Sequence, residues 1–294
     1  MLYDIKLVID YDYAAPAEHS RMLLRLLPSR FLAGQELLSA DLQIDPEPDE
    51  RREGFDFFGN AVTSAVWHGS IHALQLTLTL RVRRLAGPKP GAAPSPALMA
   101  MGGQLAGLAD LGPDSPLHHI GPSPRIALSA PITAFAKGAT RAAPDTRAAV
   151  LALGRALHRA MTFDAEATSV ETTPAQAFAQ RRGVCQDFAQ VMIAGLRGIG
   201  VPAGYVSGFL RTEPPPGQPR LEGVDAMHAW VRAWTGEGSG WIEIDPTNDR
   251  IAGEDYVTVA RGRDYGDVAP VLGAMRTSGG QGTRQAVDMV PIDE

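Results

Sequence analysis

A single cysteine, Cys185, stands in 294 residues. One thiol makes no internal disulfide and supplies no cysteine-rich zinc site. Positive charge is also scarce: 27 Lys and Arg face 33 Asp and Glu, for a net charge of −6, and no basic stripe appears. That balance argues against a nucleic-acid partner. No apolar run reaches the roughly 18 residues of a membrane-spanning helix. Met1-Leu2-Tyr3-Asp4 begins no basic-then-apolar leader. The expectation is a cytoplasmic chain with no membrane partner. Clusters of His, Asp and Glu at ligand spacing are missing too, so no metal and no cofactor are expected. His118 and His119 are adjacent, which in regular structure turns their side chains apart. His158 has no second ligand near it.

What is present is material for a core. Hydrophobic residues make up 45% of the chain, while 31 Gly and 23 Pro imply many turns. From Leu2 to Tyr13, apolar residues alternate with mostly polar ones, the period of a half-buried strand. Leu74, Leu76, Leu78, Leu80 and Val82 repeat the pattern. Met22–Leu27 and Asn60–Trp67 are further strands, with a tight turn at Phe58-Gly59-Asn60. Residues 1–85 are therefore expected to form an antiparallel β-sandwich or similar sheet module. Ala86–Pro96 holds six Gly or Pro in eleven positions and marks a linker. Residues 86–140 are assigned as linker and short helical pieces, the latter around Leu98–Leu111. Val150, Leu153, Leu157 and Met161 then recur at helical spacing behind Asp145. Residues 141–275 are expected to be a second, α+β domain and 276–294 a tail.

The chemistry concentrates in that second domain. After Cys185, apolar residues fall at Phe188, Val191, Met192, Leu196 and Ile199, one face of a helix that ends at Gly198, Gly200 and Pro202. Cys185 sits in the first turn, where unpaired N–H groups and the helix dipole favour a thiolate and can donate to an oxyanion. A nucleophilic thiol needs a base held by a third group. Met227–Trp234 and Trp241–Asp245 are two strands joined by a glycine-bearing loop. Pairing Trp234 with Trp241 places Asp245 diagonal to His228; pairing Arg232 with Trp241 places them opposite. Both registers put His228 and Asp245 on one face within hydrogen-bond reach, while a one-residue slip would separate them.

Gly183-Val184-Cys185-Gln186-Asp187-Phe188-Ala189, Gly200-Val201-Pro202-Ala203 with Tyr205-Val206-Ser207-Gly208, His228-Ala229-Trp230-Val231, and Asp245-Pro246-Thr247-Asn248 together resemble the bacterial transglutaminase-like cysteine protease family. Phe163, Thr172-Thr173-Pro174 and Gly262–Val268 extend the likeness, and the first strands resemble the β-rich module that precedes this domain. The resemblance implies a papain-like fold, with a cysteine-bearing helix packed on an antiparallel sheet. It also implies a Cys185–His228–Asp245 triad. The expected function is a cysteine-dependent peptide or isopeptide amide hydrolase working through a thioester. The alternatives are a protein-glutamine transglutaminase or deamidase, and a non-catalytic peptide-binding module. Members often carry His where this chain has Gln190, expected at the surface, and Arg where it has Gly204, expected near the site. Trp230, Trp241, Gln176 and Gln180 are candidates for a second oxyanion donor. Asp187 is expected to cap the helix or to support the site from behind, and the proline-rich Glu213–Pro219 to form a loop that either shapes a substrate groove or is a solvated insertion.

Overall fold

The computed structural model describes residues 1–29, 32–85, 94–212 and 226–292. All of Glu213–Pro219 and most of the Ala86–Pro96 linker lie outside the described residues. Alternation in the first residues produces β1 (Leu2–Leu24), followed by β2 (Gln35–Asp45), β3 (Glu50–Phe55), β4 (Ala61–Val66) and β5 (Ser70–Arg84). Tyr3, Ile5, Leu7 and Ile9 of β1 and Leu74, Leu76, Leu78 and Leu80 of β5 are all buried, as a period of two requires. Hydrogen bonds join these strands into one curled antiparallel sheet in the order β2-β5-β1-β4-β3. The sandwich expected for this module thus takes the form of a single continuous sheet. Met22–Leu24 is not a separate strand but the far end of β1, beyond a register shift between Asp12 and Ala17.

A 3-10 turn and α1 (Met101–Ala106) follow. Three helices then assemble: α2 (Ala130–Thr140), α3 (Thr146–Ala160) and, after the short β6 (Thr162–Phe163), α4 (Pro174–Gln180). Asp145 starts α3 as expected, its Oδ1 accepting the Ala148 N–H at 2.7 Å. Next, β7 (Arg182–Gly183) pairs in parallel with β6 and leads directly into α5 (Cys185–Gly198). Every residue of α5 from Gln186 to Arg197 is buried, because α2, α3 and α4 pack around it while β8 (Ala203–Leu210) and β9 (Ala226–Trp234) close the remaining side.

Beyond β9 come β10 (Trp241–Asp245), β11 (Arg250–Ile251) and β12 (Tyr256–Gly262), making a second antiparallel sheet in the order β11-β10-β9-β8-β12. Ala229, Val231, Ala233 and Ile244 face the helices. The opposite face carries Trp230, Arg232, Trp234, Trp241 and Glu243, by alternation along β9 and β10. Residues 94–126, assigned to the linker region by sequence, cover part of it: Met101 and Leu105 pack with Trp234, while Leu108, Leu117, Ile120 and Trp241 surround them. The Ser95 hydroxyl donates to the Thr235 carbonyl at 2.6 Å.

A short helix α6 (Tyr265–Val268) precedes β13 (Val271–Arg276) and β14 (Gln281–Ile292). These last two strands correct the expected tail. β14 pairs along β1 from Leu2↔Ile292 to Tyr13↔Gln281, and β13 pairs with its far end from Glu18 to Leu24. The first seven-stranded sheet therefore closes on residues from both ends of the sequence.

Side-chain amides fasten the two sheets together. Gln35 donates from Nε2 to the Thr258 carbonyl at 2.6 Å and accepts the Thr258 N–H at 3.0 Å. Asn60 treats Arg261 in the same way, both bonds being 2.8 Å. Each amide imitates one residue of a neighbouring strand and so satisfies β12 along its outer edge. Among the described residues no helix is long and apolar enough to cross a membrane.

Candidate active site

α5 begins abruptly because β7 delivers Gly183 and Val184 in extended conformation straight into its first turn. Asp187 holds that start. Its Oδ2 accepts the Val184 N–H at 2.8 Å and the Thr168 hydroxyl at 2.6 Å, the capping role expected from sequence. Burial pushes the Asp187 carboxyl up, and these two donors pull it back only in part. The carboxylate lies so close to Gly183 that a Cβ there would strike Asp187 Oδ2, Cβ and Cγ. Glycine is needed at that position for room. Cys185 is a free thiol, partly exposed, at the first position of the helix.

The hairpin adopts the first of the two registers, Trp241↔Trp234 through Ile244↔Val231. Asp245 consequently lies diagonal to His228. His228 Nε2 stands 2.7 Å from Asp245 Oδ2, and Cys185 is close enough to act on the charge of the ring. With Nε2 committed to the carboxylate, Nδ1 is the nitrogen left for the sulfur. Burial pushes His228 down, but the hydrogen bond to Asp245 and the nearby Cys185 outweigh it and hold its pKa at about 10.

Asp245 is 0% exposed, yet each of its oxygens is saturated. Oδ2 also accepts from Asn248 Nδ2 at 2.7 Å and from the Tyr256 hydroxyl at 2.8 Å. Oδ1 accepts the N–H groups of Thr247 at 2.8 Å and Asn248 at 3.2 Å, which is the turn that Asp-Pro-Thr-Asn forms. Burial alone would raise this carboxyl. The His228 bond and charge, then Asn248 and Tyr256, bring it below its ordinary value. Sequence reasoning missed Tyr256, since no spacing links it to Asp245. His158 does have a part in the neighbourhood: its Nδ1 lies 2.9 Å from the Thr247 carbonyl and ties that turn to α3.

Neither tryptophan is free to act on an oxyanion. Trp230 donates its indole N–H to Glu243 at 2.7 Å, and Trp241 donates to the Asp114 carbonyl at 3.2 Å. Gln176 Oε1 is engaged by Thr173 at the start of α4. Gln190, expected at the surface, is buried at 2% exposure on the all-round-buried α5. Gly204 does not adjoin the thiol. A Cβ there would come within 2.7 Å of the Gly262 carbonyl and 2.8 Å of His119 Nδ1, so the buried His119 ring fills the space a side chain would need.

Along the same sheet face runs a second buried polar system. Arg232 stacks on the Trp241 ring at 3.8 Å and donates to Asp114 at 2.6 Å, while Arg261 pairs with Glu243 at 2.5 Å. Burial brings the Arg232 guanidinium down to about 10. Arg197, on the last turn of α5, donates to the carbonyls of Ala203, Gly121 and Arg263 and to the Ser123 hydroxyl. It locks the far end of the helix whose first residue is Cys185.

With this geometry established, likeness to other proteins becomes informative. Residues 133–246 match the profile of the transglutaminase-like superfamily, a span that contains Cys185, His228 and Asp245. Residues 3–83 match the bacterial transglutaminase-like N-terminal region. An uncharacterized protein of Mycobacterium tuberculosis H37Rv is 41% identical over 145 residues, 48% of this chain and 46% of that relative. A protein-glutamine gamma-glutamyltransferase of Pseudomonas aeruginosa is 36% identical over 89 residues, 30% of this chain and 13% of the enzyme. The chain thus spans about half the length of its mycobacterial relative and a small part of the Pseudomonas one. Among solved structures, a protein of Cytophaga hutchinsonii, provisionally assigned as a cysteine protease, superposes with a TM-score of 0.75 at 20% identity. That match covers 100% of this chain and 91% of the other, and it attests the shared fold. Residues 133–246 therefore match a transglutaminase-like core, and residues 3–83 ahead of it match a bacterial transglutaminase-like N-terminal region.

Proposed function

We propose that this protein is a cysteine-dependent amide hydrolase in which Cys185 is the nucleophile, His228 its base and Asp245 the group that orients the base. One observation carries the reading: an imidazole with Nε2 fixed 2.7 Å from a buried carboxylate and within electrostatic reach of the free thiol of a helix's first residue. The Cys185 proton passes to His228 Nδ1, and the sulfur attacks a peptide or isopeptide carbonyl to form the C–S bond. The Cys185 backbone N–H donates to the developing oxyanion. As the C–N bond breaks, His228 returns its proton to the leaving amine, and a thioester remains. Water, deprotonated by His228, then adds to the thioester and releases the acid with the thiol restored.

An incoming amine in place of water would make the same site a transglutaminase. The likeness to the Pseudomonas gamma-glutamyltransferase favours keeping this second reading. The triad chemistry is tested by iodoacetamide labelling of Cys185, mapped by mass spectrometry across pH, in wild type and His228→Ala. Fast labelling at neutral pH that slows without His228 is expected; equal labelling would sink the triad. Turnover of a peptide-amide library with and without added primary amines separates hydrolysis from amine transfer.

A further inference from the structure

We propose that Tyr256 is a positioning residue for Asp245, and that the N-terminal sheet holds Tyr256 in place. The proposal rests on the triad reading above. It would give the N-terminal module a task in the chemistry of the core.

The topology makes Tyr256 unusual. β10 and β12 are separated in the sheet by β9 and β8, yet the first side chain of β12 reaches the last carboxylate of β10 at 2.8 Å. The chain gets there by leaving β11 on one edge and crossing to the other through residues 252–255, with Ala252 packed beside Trp230 and Tyr256. Gly208 of β8 keeps the way clear, since a Cβ there would strike the Val257 carbonyl and approach the Trp230 ring to 2.7 Å. Tyr256 is 2% exposed and meets Trp230 edge-on at 5.3 Å. Phenylalanine would pack equally well there, so the hydroxyl is explained only by its partner, Asp245.

The other groups that hold Asp245 or its turn cannot do the same work. Asn248 lies in the same four-residue turn and moves with the carboxylate it binds. His158 grips the turn by a backbone carbonyl and leaves the carboxylate rotamer free. Among the described residues, Tyr256 is the partner of Oδ2 besides His228 that approaches from a separate strand, and so it can fix Oδ2 relative to the sheet that carries His228.

That strand is in turn held by the N-terminal module on both sides of Tyr256. Arg84 of β5 donates to the Gly253 carbonyl at 3.2 Å, and the Tyr3 hydroxyl of β1 donates to Asp255 at 3.3 Å. Gln35 of β2 binds both backbone groups of Thr258. The module thus pins the crossover before Tyr256 and the strand after it.

The experiment is a double-mutant cycle on the full chain with wild type, Tyr256→Phe, Gln35→Ala and the double variant, plus His228→Ala as reference. Two quantities are read: the iodoacetamide rate at Cys185, and the downfield proton resonance of the His228 Nε2–H, assigned by its loss in His228→Ala. Tyr256→Phe is expected to slow labelling about tenfold and to shift the resonance, because one competitor for Oδ2 is gone. Gln35→Ala is expected to slow labelling about threefold when Tyr256 is present, and not at all when it is Phe. An unchanged rate and resonance in Tyr256→Phe overturns the proposal. Equal slowing by Gln35→Ala in both backgrounds overturns the link to the N-terminal sheet. Should Gln35→Ala fail to fold, Arg84→Met takes its place in the cycle. If Cys185 labels alike with and without His228, the triad reading itself fails and this proposal falls with it; loss in His228→Ala beside an unaltered Tyr256→Phe sinks only the positioning role.

Discussion

His119 and His228 are both withdrawn from water, 0% and 9% exposed, and both have an indole for a neighbour. His119 meets Trp241 edge-on at 5.2 Å, whereas His228 lies stacked at 6.4 Å from Trp230. Their protonation is opposite. Neither nitrogen of His119 has a hydrogen-bond partner among the described residues, and burial, with the Arg232 and Arg197 charges behind it, drives its pKa down to about 2. His228 suffers the same burial, but Asp245 and Cys185 carry it to about 10. Desolvation on its own makes histidine an inert aromatic. A saturated carboxylate makes the same ring basic enough to keep a proton taken from a neighbouring thiol.

The largest expected effect comes from breaking the active member of the pair. Asp245→Asn keeps the shape but takes away the charge and the tautomer control, and should slow Cys185 labelling and any amide turnover by about 10²–10⁴. Labelling kinetics check this directly. An intermediate effect is expected at the inert member. Gly204→Ala forces a methyl against the Gly262 carbonyl and His119, and should destabilise the fold by about 1–3 kcal/mol with the labelling rate unchanged. Thermal unfolding measures it.

The smallest effect concerns pH. His119, depressed in the fold, takes up a proton only on unfolding, so between about pH 6.5 and 2 it makes stability fall as pH falls. His228 is raised, so its contribution is complete below about pH 6.5 and is lost as pH rises through about 10. His119→Phe should therefore flatten the acid side of a stability–pH curve, by up to about 1.4 kcal/mol per pH unit, and leave the alkaline side intact. Urea unfolding at several pH values reads both slopes. An acid side that stays equally steep would mean that His119 is solvated.

Much of this arrangement could be read from the residues alone, because local patterns decided it. The apolar face after Cys185, the glycines closing α5 and the Trp234-to-Trp241 loop led to the correct helix and to one of the two registers considered. What escaped has a common cause. β2, β3 and most of β14 are edge or surface strands with largely exposed side chains, so no apolar alternation marks them. Tyr256, eleven positions after Asp245, meets it only because the intervening chain crosses the sheet from one edge to the other, and His119 meets Trp241 across a long stretch of sequence, so no spacing rule reaches either. Gln190 was misplaced because α5 is enclosed on every side, which an amphipathic pattern does not announce.

The pairing of β1 with both β13 and β14 has a consequence for how the chain comes into being. β1 is released by a ribosome well before β13 and β14, the strands that pair with it. At about 5–20 residues per second, β1 waits roughly ten to fifty seconds with that side bare while the transglutaminase-like core is synthesised. The region matching the N-terminal family profile, residues 3–83, is thus complete as a sequence long before it is complete as a sheet. A nascent chain stalled before Val271 would hold the Cys185, His228 and Asp245 segments beside an unfinished β1, so this sheet is completed only after the core has been made.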